Sequence, residues 1–171
     1  PNELQGGSLV CFIAKSNSTF EVDKSVSRIL KQEKKDGFLN PKKIKKYIKK
    51  LEILKKNLDK KIDKICLKKE KKIFAFGSSV SSTSFFTYFN LTEKVDFIID
   101  DNPLKKGMYH ACGGIPIYSS SYLDKVKNYY GIIFAWEHNS KIIKNFSKFI
   151  SKNTGFIELF PKIKIIDKNI N

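Results

Sequence analysis

The stretch Lys72-Ile73-Phe74-Ala75-Phe76-Gly77-Ser78-Ser79-Val80-Ser81-Ser82-Thr83 decides the fold. Ile73 to Phe76 is a short apolar run without polar alternation, the pattern of a strand covered on both faces. Gly77 ends it. A serine-rich turn follows, and a helix carrying Phe85, Phe86 and Phe89 opens near positions 81–83. Downstream, strand-like runs alternate with helical segments. Lys94-Val95-Asp96-Phe97-Ile98-Ile99 reads as a second strand, ending at Asp100-Asp101-Asn102-Pro103. Gly114-Ile115-Pro116-Ile117-Tyr118 reads as a third, Gly131-Ile132-Ile133-Phe134-Ala135 as a fourth and Thr154-Gly155-Phe156-Ile157-Glu158-Leu159-Phe160 as a fifth, with helices over about 120–128 and 138–152. This alternation predicts a Rossmann-like α/β module, a mainly parallel sheet flanked by helices.

Upstream the pattern is helical. Val26, Ile29 and Leu30 recur at helical spacing before Gly37, giving a first helix over 23–36. Asn40 is in an N-cap position with Pro41 at the first helical residue, and Ile44, Tyr47, Ile48, Leu51, Leu54, Leu58, Ile62 and Ile65 mark one face of a second helix over 41–69. Further upstream, Gly6-Gly7-Ser8 and Leu9-Val10-Cys11-Phe12-Ile13-Ala14 read as a strand over 4–15. It must pair either within this chain or with an adjoining domain. Three sections are expected: 1–22 with this strand, 23–70 as a helical connector and 71–171 as the Rossmann-like domain. The start at Pro1 rather than Met suggests a piece of a longer protein.

The chain has 171 residues and a net charge of +16. All of its 33 basic residues except Arg28 are Lys, whereas base and phosphate readout leans on the Arg fork, so no nucleic-acid partner is expected. A positive field still attracts a small phosphorylated ligand. Cys11, Cys66 and Cys112 are odd in number and far apart, which fits reduced thiols in the cytoplasm rather than a disulfide framework or a zinc site. No window reaches the roughly 18 apolar residues of a membrane span, so no membrane partner is expected.

Three loops share the edge where such sheets bind ligands. Gly77, Ser78, Ser79, Ser81, Ser82 and Thr83 stand at a strand-to-helix turn, where backbone N–H groups hold phosphates; the alternative is an ordinary turn with a serine cap. Asp100 lies at the end of the second strand, where the fold often presents an acid to ribose hydroxyls, but Asp100, Asp101 and Asn102 also form a strong turn sequence before Pro103. Trp136, Glu137, His138 and Asn139 leave the fourth strand and could stack on a base and bond sugar hydroxyls, or simply start a helix. His110, in a polar loop, reads as a bystander. No catalytic set and no metal cage is apparent.

Taken in order, Gly6-Gly7-Ser8-Leu9, the helical connector, Phe76-Gly77-Ser78-Ser79, Ile99-Asp100-Asp101-Asn102-Pro103 with Lys105-Lys106-Gly107, Gly114-Ile115-Pro116-Ile117 and Ala135-Trp136 resemble the C-terminal part of S-adenosylmethionine-dependent sugar C-methyltransferases. The resemblance implies a domain that helps to hold a nucleotide-sugar, with residues 1–22 as the closing strand of a missing methyltransferase domain, S-adenosylmethionine, the zinc cysteines and the catalytic groups in that upstream domain, and no cofactor within this chain. The sequence departs from the family pattern at Gln5, at Val80-Ser81-Ser82-Thr83 and at Ala135-Trp136-Glu137. The Gly77 loop, Asp100-Asp101-Asn102-Pro103 and Gly114-Ile115-Pro116 also resemble the N-terminal nucleotide-sugar domain of sugar acyltransferases, and a binding or interaction module with no chemistry is the third alternative.

Overall fold

The computed structural model describes residues 8–69, 71–151, 154–160 and 162–168. Two compact units divide the chain, Pro1–Glu52 and Ile53–Asn171, and the second helix runs through the division.

In the first unit, helix α1 (Lys24–Asp36) is bounded by its own chemistry. The Asp23 carboxylate accepts the Ser25 N–H at 2.7 Å, and Gly37, in the left-handed conformation, donates its N–H to the Glu33 and Lys34 carbonyls. Helix α2 (Pro41–Lys69) begins where the Asn40 side chain accepts the Lys42 N–H at 3.0 Å. Its apolar stripe is continuous in sequence, but burial divides it: Leu58, Ile62 and Ile65 are core residues, whereas Ile44, Tyr47 and Ile48 are exposed. The strand expected over 4–15 is not formed by residues 9–15, and positions 4–7 lie outside the described residues. Ser8 makes one isolated bridge, while Leu9, Val10, Phe12 and Ile13 are exposed. A strand needs a partner edge, and residues 9–15 pair with none among the described residues.

The second unit holds a six-stranded sheet of order β3-β2-β1-β4-β5-β6. Its strands are β1 (Lys72–Phe76), β2 (Phe97–Ile99), β3 (Ile117–Tyr118), β4 (Tyr129–Ile133), β5 (Gly155–Glu158) and β6 (Lys164–Ile166). The first five pair in parallel and β6 is antiparallel to β5. This is the doubly wound order, which reverses between β1 and β4. Period-two alternation divides the core of β1: Ile73 and Ala75 pack with Leu58, Ile62 and Ile65 of α2 and Phe86 and Phe89 of α3 (Val80–Phe89), while Phe74 and Phe76 face Leu123, from the 3-10 turn Ser120–Asp124, and Ile142 of α4 (Asn139–Asn145). Phe74 stacks on Phe97 with centroids 5.2 Å apart. A Cβ at Gly131 would lie 2.4 Å from the Phe74 ring, so the residue beside that ring must be glycine.

Where the chain departs from its sequence pattern, the segments are short. Positions 120–128 form only a 3-10 turn, Ser120–Asp124, and 138–152 is broken into α4 and a 3-10 turn, Ser147–Phe149. The expected second strand begins at Phe97 rather than Lys94, because Lys94 and Val95 donate their N–H groups to the Leu91 carbonyl in the preceding turn. No helix among the described residues is long and apolar enough to cross a membrane.

Candidate functional site

The parallel register sets Phe76 beside both Ile99 and Ile133, so the loops after β1, β2 and β4 leave the same edge of the sheet. This edge includes the reversal point between β1 and β4, where doubly wound sheets open a crevice for ligands. The β1 and β4 loops run close together there: a Cβ on Gly77, whose φ is 99°, would lie 3.5 Å from that of Ala135.

The Gly77 loop is braced from β2. Asp100 Oδ2 accepts the Ser78 N–H at 2.8 Å and the Lys105 ammonium at 2.9 Å, and Oδ1 accepts the Asn102 N–H at 3.0 Å. Lys105 also donates to the Ser78 carbonyl, so one carboxylate and one ammonium together hold both peptide groups of that residue. Burial alone would raise the Asp100 pKa; the Lys105 ammonium and the Asn102 and Ser78 N–H groups outweigh it and hold the carboxyl below its ordinary value. Asp100 thus serves the turn, the second of the two roles its position allowed. Its oxygens retain lone pairs for a ligand hydroxyl. Asp101 accepts the Ser120 N–H at 2.7 Å, pinning the turn after β3, and Asn102 caps the 3-10 turn Pro103–Lys105 through the Leu104 N–H.

Helix α3 opens at this edge. Ser79 is its N-cap residue in extended conformation, yet its hydroxyl caps nothing and instead meets the Ser81 hydroxyl at 2.8 Å. The Ser78 N–H is taken by Asp100 and the Ser82 N–H by the Ser79 carbonyl, which leaves those of Ser79, Val80 and Ser81 for a ligand. The exposed first turn carries the positive end of the helix dipole, and Lys105 adds a cation to the loop beneath it. Thr83 is half-buried, its carbonyl receiving the Thr87 hydroxyl at 3.0 Å.

The β4 loop contributes differently. Trp136, Glu137 and His138 form an exposed 3-10 turn, and Trp136 meets Phe160 edge-on with centroids 6.4 Å apart, which leaves 43% of the residue open to solvent. Asn139 is not on that surface. It is buried at the start of α4, and its side-chain oxygen has no hydrogen-bond partner among the described residues. The geometry therefore separates Trp136, Glu137 and His138, which a ligand can reach, from Asn139, which it can reach only if the turn moves.

Sequence reasoning undervalued two residues. Lys105 lies five residues after Asp100 in the Lys105-Lys106-Gly107 motif, and that spacing was the available signal. His110 is buried rather than a bystander in a polar loop, and its ring lies 4.8 Å from that of Phe86. The hairpin that carries it inward turns at Gly113 and Gly114, both at positive φ. A Cβ at Gly113 would also lie 2.1 Å from the Thr92 side chain.

The model of one family, the C-methyltransferase C-terminal domain, matches residues 3–161. The chain belongs to that family. The match spans both units and runs through all three loops of the site. Comparison with curated proteins gave no match. Within this C-methyltransferase C-terminal domain no group of three or more His, Cys, Asp or Glu side chains among the described residues is placed to hold a metal ion. A groove of about 410 Å³ lies at the opposite edge of the sheet, where β4 and β5 begin, lined by Phe74, Lys127, Tyr129, Lys148, Phe149 and Phe156. It is remote from the helix N-terminus and from the braced β1 loop, so its size does not make it the anion site.

Proposed function

We propose that this C-methyltransferase C-terminal domain binds the nucleotide diphosphate of a nucleotide-linked deoxysugar, and so helps to present that sugar for methylation in a S-adenosylmethionine-dependent enzyme of the cytoplasm. The observation that carries the reading is the arrangement at the reversal point of the sheet: a helix N-terminus with uncommitted N–H groups, braced by Asp100 and Lys105 and adjoined by the exposed Trp136 turn. The diphosphate lies against the N–H groups of Ser79, Val80 and Ser81, the base stacks on Trp136, and hydroxyl groups reach Asp100, Asp101 or Glu137. S-adenosylmethionine would supply the methyl group from an upstream methyltransferase domain, and residues 1–22, of which Leu9, Val10, Phe12 and Ile13 are exposed, would close that domain. Family membership favours methyl transfer over the acyltransferase alternative.

Calorimetric titration tests this. Uridine or thymidine diphosphate, or the corresponding nucleotide-sugar, is expected to bind this chain alone, and S-adenosylmethionine is expected not to bind at micromolar affinity. Failure of both nucleotides would leave the module as a structural partner of a catalytic domain, and tight cofactor binding would contradict the division of labour.

A further inference from the structure

His110 is tied to the opening of α3 by a chain of hydrogen bonds whose direction can be read from both ends. At one end the Cys112 N–H reaches Nδ1 of His110 at 3.2 Å, so Nδ1 carries a lone pair and the ring proton is on Nε2. At the other end the Ser82 hydroxyl donates to the Ser79 carbonyl at 2.5 Å, which uses its one proton, so its oxygen must accept from Nε2–H at 3.0 Å. The two ends independently specify the same neutral tautomer. Ser82 is fully buried and His110 nearly so, and water does not readily substitute for either bond.

We propose that His110 is a positioning residue for the anion-binding turn: neutral and protonated on Nε2, it fixes Ser82 and through it the Ser79 carbonyl, holding the free N–H groups of Ser79, Val80 and Ser81 in their binding arrangement. The proposal rests on the ligand reading above for its consequence, but not for the lock itself. A doubly protonated ring sets an Nδ1–H against the Cys112 N–H, two donors facing each other, and breaks the chain. The groups around the ring reinforce this. Lys105, from the loop after β2, places a positive charge near it; Cys112 is on its own hairpin; α3 contributes only the uncharged Ser82 and Phe86. Burial, with the Lys105 charge, lowers the imidazole pKa below its ordinary value of about 6.5. The native state thus binds fewer protons than the unfolded chain, and the lock is complete above that value and lost as pH falls below it. Protonation also adds a charge that attracts phosphate, so the two effects act with opposite sign and the sign of the pH profile decides between them.

The test uses nitrogen NMR of the His110 ring in the free protein, and the affinity for UDP-glucose and dTDP-glucose between about pH 7.5 and 5, a range in which the diphosphate diester does not titrate. The ring is expected to show the Nε2–H tautomer. Affinity of the wild type is expected to fall roughly tenfold as the ring becomes doubly protonated, followed in the same NMR spectra to whatever pH that requires, the equivalent of one hydrogen bond. His110→Gln, which keeps a donor for Ser82 but does not titrate, is expected to bind like the wild type at high pH and to show a flat profile. His110→Phe, which keeps the packing and loses the donor, is expected to bind roughly tenfold more weakly throughout. An Nδ1–H tautomer, a wild-type affinity that stays flat or rises while the ring is seen by NMR to take up its second proton, or the same loss in His110→Gln overturns the proposal. If neither nucleotide-sugar binds at pH 7.5, the ligand reading has failed, and the tautomer still decides the lock.

Discussion

Replacing Ser79 by Asp is expected to weaken nucleotide diphosphate binding by at least about a hundredfold while making the free domain more stable. The two effects have one origin. Ser79 is the N-cap residue of α3, and its hydroxyl makes no capping bond. An aspartate there can accept an N–H from the first turn, and an N-cap of that kind contributes about 0.5–2 kcal/mol. It also lies favourably at the positive end of the helix dipole. That same carboxylate occupies the place of the phosphates, takes up their N–H donors and repels their charge. Two lost charge-assisted bonds, at roughly 1.5–3 kcal/mol each, correspond to a hundredfold or more in affinity. Calorimetry and thermal unfolding on the same sample check both halves. Unchanged affinity in a stabilised variant would show that the helix N-terminus is not the anion site.

Asp100→Asn is the second large effect, and here stability and binding fall together. The carboxylate accepts from Ser78, Lys105 and Asn102, all of them donors. An amide is the same size but presents its own N–H groups on one side, so in either orientation it sets donor against donor and leaves the Lys105 charge without its partner. With Lys105 part-exposed and screened, the loss of stability is expected to be on the order of 2 kcal/mol, and binding should weaken about tenfold or more because the Ser78 peptide is no longer held. The pH dependence follows from the lowered pKa. The stabilisation by Asp100 is present above the unfolded carboxylate value of about 3.9 and is lost as pH falls through the lower folded value, so the difference between variant and wild type should shrink in acid. Denaturant unfolding at neutral and acid pH measures it; a difference that does not shrink once Asp100 is protonated in the folded state would mean that the charge is not what holds the loop.

The parts of the fold legible in the sequence were those whose signals are local. The apolar run from Ile73 to Phe76 closed by Gly77, the cap pair Asn40-Pro41 and the positive-φ stop at Gly37 each act within one turn or strand, and each formed as expected. The edge β6 was not legible, because it has only three residues and its side chains are at most half-buried, so no alternation marks it. The 3-10 turn at Ser120–Asp124 was misread as a longer helix because its start is fixed by Asp101, nineteen residues earlier. The site divides in the same way. Its loops could be placed from strand ends, but the roles within them depend on tertiary hydrogen bonds: Asp100 to Ser78, and His110 to Ser82 across 28 positions. No periodicity reports a bond of that span. The same holds for the exposed residues Leu9, Val10, Phe12 and Ile13, whose strand pattern is real in the sequence but has no partner edge among the described residues.

Amide chemical-shift mapping of the isotopically labelled chain with a thymidine or uridine diphosphate-sugar reads whether the ligand sits where β1 and β4 diverge. Saturable shifts are expected at Ser78, Ser79, Val80, Ser81 and Thr83 and around Trp136, with Lys127, Tyr129 and Gly155 at the opposite edge unmoved. Shifts confined to that opposite groove, or none at saturating ligand, would contradict it.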